Sequence, residues 1–416
     1  MKVKLEHYLS DAHIDANSRN SQRQLSLEVS AIAESMDYNL PLNLCLVLDC
    51  SGSMKGNPLE TVKQAAISLI EKLQPGDCIS VVAFNNEANI IVPCQSIGDI
   101  AKIKHLIDKL DATSGTAIDR GMKLGIKEIS QRKRNTVSHI CLLSDGENEH
   151  GNNQRCLQFA KLAAEYKITI NTLGFGEHWN QDVLEKISDL ANGTLSYIEE
   201  PEQALIEFDQ VLARLQTVGL TNAHLIVELS TGTRLGKLKP ITQVAPEAVE
   251  IPLKLDGNSF KFRIGDLMTD KARILLINLY INQLFPGNHQ IATVQISYDN
   301  PTIGGEGLLS PIYPITIDSQ EEYHPQLNQQ VQQSILLLAK YRQTQIAEAK
   351  LQQGDKLGAV TLLQNAAKTA LQLGDDTSAT VLQTSATRLQ TAGELSPKEK
   401  KQTRLASKTS FQGIIE

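Results

Sequence analysis

The sequence predicts an α/β domain with a doubly wound, mostly parallel sheet, inserted into an antiparallel β-sandwich and followed by a C-terminal helical region. Between residues 43 and 214, apolar runs that suit strands alternate with amphipathic helical patterns. Residues 217–318 instead hold runs of alternating polarity separated by Gly, Pro, Asn and Asp, which is typical of antiparallel strands. From about residue 325 the pattern is helical. A chain of 416 residues is too long for one hydrophobic core, so several domains are expected.

The predicted domain boundaries follow these changes of pattern. The units are a discontinuous β-sandwich (1–40 plus 217–320), the α/β domain (41–216), a helical region (321–395) and a flexible basic tail (396–416). The first forty residues are assigned to the sandwich because "KVKLEHYL" and "QLSLEVSAIA" suit strands and have no place in a parallel sheet. Insertion of one domain into another is tolerated when the ends of the inserted domain lie close together.

The α/β region begins with "NLCLVLD" (43–49), a continuous apolar run that is typical of a parallel strand covered on both faces. A polar loop and a helix over "LETVKQAAISLIEKL" follow. The further predicted strands are "CISVVAF" (78–84), "ANIIVP" (88–93), "HICLLSD" (139–145), "ITINTLGFG" (168–176) and "TLSYIE" (194–199). The helical patterns between and after them lie at about 99–110, 117–130, 153–165, 180–191 and 201–215. The proline that ends the run at 88–93 favours an edge position for that strand.

The helical region contains two segments that align at an offset of twenty residues. They are "LQQGDKLGAVTLLQNAAKTA" (351–370) and "LQLGDDTSATVLQTSATRLQ" (371–390), each with Gly-Asp near its start. A common origin and a chance match both stay open, because a solenoid normally needs three or more repeats.

Composition limits the classes of function. A net charge of −7 argues against general nucleic-acid binding, which relies on Lys and Arg. The N-terminus lacks the features of a signal peptide, and no apolar run approaches about 18 residues. We therefore expect a soluble, cytoplasmic protein without a membrane span. The six cysteines match no zinc-binding spacing, so we expect buried free thiols in a reducing compartment.

Polar side chains that suit a metal ion follow two of the predicted strands. Asp49 and Asp145 stand at the carboxyl ends of their strands, where open α/β sheets bind ligands. Ser51 and Ser53, at alternate positions of an extended segment, can turn their hydroxyls to the same side as Asp49. The loop in "DATSGTAIDRGM" adds the hydroxyls of Thr113, Ser114 and Thr116. Such an all-oxygen set suits a hard cation such as Mg²⁺, whereas softer metals prefer imidazole or thiolate.

Three segments carry a family resemblance. "DCSGSM" (49–54), "SGTAIDRG" (114–121) and "LLSDGENEHG" (142–151) resemble the motifs of the von Willebrand factor type A (vWA) domain in its intracellular bacterial form. The resemblance covers about residues 40–215 and implies the Rossmann-like vWA fold with a metal-ion-dependent adhesion site. By this resemblance, Mg²⁺, or alternatively Ca²⁺ or Mn²⁺, is held by Asp49, Ser51, Ser53, Thr116 and Asp145. Thr116 is preferred to Thr113 because it is the threonine of a Gly-Thr pair.

Some positions depart from the family pattern or extend it. Cys50 fills a variable position of the first motif, where a thiol has no evident role. After Met54 comes "KG", where integrin-type domains have paired aspartates, so no adjacent second metal site is predicted. We expect Glu147 and Glu149 to be solvated carboxylates at the rim of the site; the alternative is that they support the metal ligands or face a partner.

The resemblance implies a non-enzymatic module for protein–protein interaction. A partner would present an Asp or Glu to the bound cation, and the protein would act as an adaptor or scaffold. One alternative is a subunit that works with a separate AAA-type ATPase, since this chain has no Walker motif. The other is a Mg²⁺-activated hydrolase, for which His150 and His178 are placed to approach the rim but no nucleophile accompanies them.

The predicted tail suggests a regulatory partner. A Ser/Thr kinase is one hypothesis, because hydroxyl side chains lie beside Lys and Arg there, namely Thr403, Ser407, Thr409 and Ser410. A basic tail that only aids solubility is the alternative.

Overall fold

The protein is described here from a computed structural model, which describes residues 1–33, 40–253 and 257–409. The strands are β1 (Lys2–Leu9), β2 (His13–Asp15), β3 (Asn20–Ile32), β4 (Leu42–Asp49), β5 (Cys78–Phe84), β6 (Ala88–Ser96), β7 (Val137–Ser144), β8 (Thr169–Phe175), β9 (Leu195–Ile198), β10 (Val218–Leu229), β11 (Thr233–Leu235), β12 (Ile241–Ala245), β13 (Val249–Glu250), β14 (Ser259–Met268), β15 (Arg273–Asn282), β16 (Gly287–Asn300), β17 (Gly305–Leu309) and β18 (Tyr313–Gln320). The helices are α1 (Asn57–Glu71), α2 (Ile100–Asp108), α3 (Ile118–Ile129), α4 (Asn153–Glu165), α5 (Gln181–Leu190), α6 (Ala204–Gln216), α7 (Gln329–Gln352), α8 (Lys356–Gln372), α9 (Asp376–Ala392) and α10 (Pro397–Lys408).

The α/β region forms a six-stranded sheet in the order β6-β5-β4-β7-β8-β9. All neighbouring strands are parallel except β6, which runs antiparallel to β5 at the edge, where its proline was predicted to place it. One hydrophobic core packs α1, α2 and α6 on one face of the sheet, and another packs α3, α4 and α5 on the other. The predicted doubly wound sheet is confirmed.

The sandwich consists of two sheets of six strands each. One has the order β1-β3-β15-β12-β13 with β11 beside β15, and the other has β14-β10-β16-β18-β2 with β17 beside β16. Strand β3 pairs with β15, where Leu27 lies opposite Leu275, so the N-terminal strands join strands that follow the α/β region. Pairing is antiparallel except between β18 and β2. The inner faces share one core of aliphatic side chains, as alternating runs predict.

The helical region packs α7, α8 and α9 around a core of small and aliphatic side chains. The Gly-Asp pairs seen in the sequence lie at equivalent turns. Gly354 and Gly374 have positive φ angles after α7 and α8, and Asp355 and Asp375 then cap the next helices. The carboxylates accept hydrogen bonds from the backbone N–H groups three residues on. The twenty-residue offset therefore repeats a helix–turn unit.

The C-terminal segment corrects one prediction. Residues 396–416 were expected to form a flexible basic tail, but Pro397–Lys408 is a helix with a capping box between Ser396 and Glu399. Its basic residues lie against the α/β region, where Arg404 Nη1 is 2.6 Å from Asp182 Oδ1. Composition suggested a solvated tail because the acidic partners on α5 lie more than two hundred residues away in the sequence. Residues 410–416 lie outside the described residues.

The kinase hypothesis loses two of its four acceptor sites for the same reason. Thr403 and Ser407 are buried, and the Thr403 hydroxyl lies 2.7 Å from that of Ser385. Thr409 is exposed at the end of the helix, and Ser410 lies outside the described residues. A kinase would reach the two buried hydroxyls only after α10 had left its neighbours.

Candidate metal centre

The two predicted carboxylates lie at the same edge of the central sheet. Asp49 ends β4, and Asp145 directly follows β7, which pairs with β4 in parallel register. Because the carboxyl ends of parallel strands share one edge, the two side chains emerge together. Asp49 is fully buried, and Asp145 is 8% exposed.

The serine hydroxyls of the first motif turn toward Asp145. Ser51 Oγ and Ser53 Oγ donate hydrogen bonds to Asp145 Oδ1 over 3.1 and 2.9 Å, and the two hydroxyl oxygens lie 3.0 Å apart. Ser51 has an extended backbone and is followed by a single 3-10 turn, Gly52–Met54, which brings Ser53 back to the same side. The structure thus brings three of the predicted ligands into mutual contact.

Asp49 is held by groups that fix both of its carboxylate oxygens. Oδ1 accepts a hydrogen bond from the Ser51 backbone N–H over 2.8 Å, and Oδ2 accepts one from Ser144 Oγ over 2.7 Å. Sequence reasoning missed Ser144. The available signal was a serine at the end of the apolar run "ICLL", directly before Asp145.

Thr116 approaches the same centre from the loop before α3. Its Oγ1 lies 3.6 Å from the position that a Cβ on Gly146 would take, next to Asp145. The His150 backbone N–H donates to the Thr116 carbonyl over 2.9 Å, so the loop after β7 holds this threonine in place. Thr116 is buried.

Thr113, the other threonine considered for the site, has a different environment. It is exposed, and its Oγ1 accepts a hydrogen bond from Asn85 Nδ2 over 2.5 Å. Its backbone N–H donates to the Cys50 carbonyl over 2.9 Å, which ties the threonine loop to the first motif. Thr113 therefore connects two loops, whereas the Thr116 hydroxyl lies beside Gly146, the residue that follows Asp145.

The electrostatics of the centre favour a bound cation. Burial, reinforced by the charge of Asp145, raises the pKa of Asp49 to about 7. Burial also raises the pKa of Asp145, against hydrogen bonds from Ser53 and Ser51 that lower it. Two neighbouring buried carboxylates destabilise each other's charged form, and a cation between them would remove that cost.

The donor set consists of oxygen atoms, which fits a hard divalent ion. Across the described residues, no group of three or more His, Cys, Asp or Glu side chains could hold a metal, so a site here depends on hydroxyls. The Cys50 thiol is buried in the core, and burial raises its pKa to about 12, so it stays protonated. All six cysteines are buried free thiols, as predicted.

The histidines considered for catalysis have other surroundings. His139, which precedes the apolar run of β7, is not near the centre: its Nε2 lies 2.8 Å from Asp266 Oδ2 in a buried contact with the sandwich. His150 supports Thr116 and is exposed, as is His178. Glu147 is exposed and accepts a hydrogen bond from Asn180 Nδ2 over 2.6 Å.

Comparison with known proteins identifies the family. Residues 43–210 match the family model described as the von Willebrand factor type A domain, and residues 329–413 match the Sll0103-like, C-terminal alpha-helical domain. The protein sll0103 of Synechocystis sp. is 54% identical over 412 residues, which covers 99% of this chain and 98% of that protein. The chain belongs to the Sll0103-like vWA proteins. The vWA domain is a fold of the protein-interaction type.

Solved structures support the fold assignment of this vWA protein over its whole length. A von Willebrand factor type A protein from Catenulispora acidiphila superposes with a TM-score of 0.82 at 18% identity, covering 98% of this chain and 97% of the other. The ArnB paralog VWA2 from Sulfolobus acidocaldarius gives a TM-score of 0.58 at 15% identity and covers 100% and 99%. At these identities the likeness concerns the fold alone. In the part of the chain that the structure describes, no helix has the length and apolarity needed to cross a membrane.

Proposed function

We propose that this vWA protein binds a partner protein through a divalent cation held by Asp49, Ser51, Ser53, Thr116 and Asp145. An aspartate or glutamate of the partner would complete the coordination. The observation that carries the proposal is the convergence of the Ser51 and Ser53 hydroxyls on Asp145 Oδ1, within 3.1 and 2.9 Å.

The ligand set explains why an acidic partner is expected. Two carboxylates and three hydroxyls supply five oxygen ligands, whereas Mg²⁺ takes six, so one coordination position is left for a carboxylate of the partner. Mg²⁺ is the first choice of cation, with Ca²⁺ and Mn²⁺ as alternatives. The ion would supply a binding point for a carboxylate, and the chain's own residues would hold and orient it.

The surroundings of the centre suit recognition of a large partner. Gly52, Ser53, Ser114 and Glu147 are exposed, so the face that carries the ligands is open to another protein. The sandwich and the helical region would act as scaffold. We further propose a cytoplasmic location, which suits six free thiols. In this setting the protein works as an adaptor and not as an enzyme.

A capture experiment tests the function. The purified protein is used as bait in lysate of the native cell with Mg²⁺ or with EDTA, beside Asp49→Ala as a matched control. We expect partners that are retained only by the wild-type protein in Mg²⁺ and that are released by EDTA. A separate ATPase among them would support the alternative role as a subunit of an ATPase complex. Partners that survive both EDTA and the substitution would contradict a metal-bridged mechanism.

A further inference from the structure

The loop at residues 176–180, between β8 and α5, borders the candidate metal centre. Asn180 Nδ2 donates to Glu147 Oε2 over 2.6 Å, and Glu147 stands two residues after Asp145. Beside Asn180, the Trp179 side chain is only 2% exposed. Through the contact between Asn180 and Glu147, the position of this loop therefore influences the position of the segment that carries Asp145.

The C-terminal helix α10 places a cation on this loop. Lys401 Nζ lies 4.4 Å from the centroid of the Trp179 ring and donates a hydrogen bond to the Glu177 carbonyl. A cation over an indole face is attracted by the negative face of the ring. Burial lowers the pKa of Lys401 to about 8, and the charges of Glu147 and Glu177 oppose that shift. The ammonium group thus acts on both the loop and the rim of the centre.

Ion pairs fix α10 along α5, the helix that begins directly after the loop. Arg404 Nη1 lies 2.6 Å from Asp182 Oδ1, and Arg404 Nε lies 2.7 Å from Glu185 Oε2. One turn further on, Lys408 Nζ lies 2.6 Å from Asp189 Oδ1. These contacts hold α10 along the length of α5.

The opposite side of α10 packs on the helical region. The Thr403 and Ser385 hydroxyls lie 2.7 Å apart, and Lys340 Nζ donates to the Thr409 carbonyl over 3.0 Å. The same short helix thus contacts α9, α7 and the rim of the vWA domain. A shift of the helical region would be transmitted to residues 176–180.

We propose that α10 positions the rim of the metal centre, with Lys401 as the positioning residue. Lys401 holds Trp179 and the Glu177 carbonyl, and the adjoining Asn180 orients Glu147. This inference rests on the proposed function, because it assigns the helical region a role in setting the affinity of that centre for its cation. Coupling between two sites is reciprocal, so cation binding must also strengthen the docking of α10.

The single tryptophan of the chain makes the coupling measurable. Mg²⁺ is titrated into the full-length protein by calorimetry and, in parallel, by Trp179 fluorescence. The variants are Lys401→Met, which removes the ammonium group, and Lys401→Arg, which keeps a cation. Lys400→Met is the matched control, because Lys400 is exposed and forms no ion pair with any described residue. We expect Lys401→Met to bind Mg²⁺ at least about fivefold more weakly and to lose the fluorescence response.

The outcomes separate this inference from the proposed function. Wild-type affinity and fluorescence response in Lys401→Met would overturn the positioning role and leave the metal site standing. Calorimetry that detects no Mg²⁺ binding to the wild-type protein would instead remove the metal site itself. Hydrogen exchange measured without metal distinguishes a local loss of positioning from a general folding defect. We expect faster exchange in Lys401→Met at residues 145–151 and 176–180 but not in the sandwich, and unchanged exchange in both segments would also contradict the proposal.

Discussion

Replacing Lys408 by methionine tests whether α10 is held by its buried charges. Lys408 is 2% exposed, and its Nζ lies 2.6 Å from Asp189 Oδ1, 3.2 Å from Glu185 Oε1 and 3.9 Å from Glu247 Oε2. Methionine keeps most of the stem, so the change removes a charge with little loss of volume. Removing one partner of a buried ion pair typically costs about 3–5 kcal/mol. Because Arg404 stays 2.7 Å from Glu185, we expect the lower end, about 3 kcal/mol.

Urea unfolding followed by Trp179 fluorescence measures this cost, since Trp179 lies beneath α10 and is the only tryptophan. Lys400→Met serves as the control and should change the free energy of unfolding by less than about 0.5 kcal/mol. Adding Glu247→Gln to Lys408→Met should recover part of the loss, because one uncompensated carboxylate is removed. A loss below about 1 kcal/mol for Lys408→Met would show that the ion pairs do not hold the helix.

Three further predictions concern Glu247, which lies between β12 and β13, and the loop before α3 that carries Thr113 and Thr116. Burial raises the pKa of Glu247 from 4.5 to about 7, so its stabilising contribution, complete below pH 4.5, is lost as the pH rises through 7. Between pH 5 and 7.5 the free energy of unfolding should therefore fall by about 2 kcal/mol more in wild type than in Glu247→Gln, and equal slopes in denaturant titrations would contradict this. Thr116→Val should abolish Mg²⁺ binding measured by calorimetry, whereas Thr113→Val should retain it; the reverse order would reassign the ligand. Gly115→Ala should weaken Mg²⁺ binding, because Gly115 has a φ of +90° and a Cβ there would lie 1.4 Å from Asn86 Oδ1; wild-type affinity would show that this loop adapts freely.

The central sheet and the carboxylates at its edge could be predicted because their signals are local. The apolar run ending at Asp49 and the one ending before Asp145 each indicate a strand and a candidate ligand within a few residues of sequence. The alternation of strands and helices then predicts a parallel sheet, in which both strands end at the same edge. That the hydroxyls of Ser51 and Ser53 point to the same side could be predicted from their alternate positions in the sequence. Each of these inferences needs only a short window of the chain.

The remainder depends on contacts between distant segments. Ser144 supports Asp49 from a neighbouring strand, and His150 supports Thr116 across thirty-four positions of sequence. The docking of α10 pairs Lys408 with Asp189, which lies 219 positions earlier. The composition of a basic segment alone suggests a solvated tail, because it shows the positive charges but not the distant carboxylates that pair with them. Burial of such charges can be inferred only once the tertiary arrangement is known.

Diffraction from crystals grown with Mn²⁺ tests the central claim most directly, because the anomalous signal locates the ion without assumptions about its ligands. We predict one peak at coordination distance from the hydroxyls of Ser51 and Ser53 and close to Asp145, and its loss in Asp49→Ala crystals. A peak only elsewhere, or an equal peak in Asp49→Ala, would contradict a cation site built from these residues.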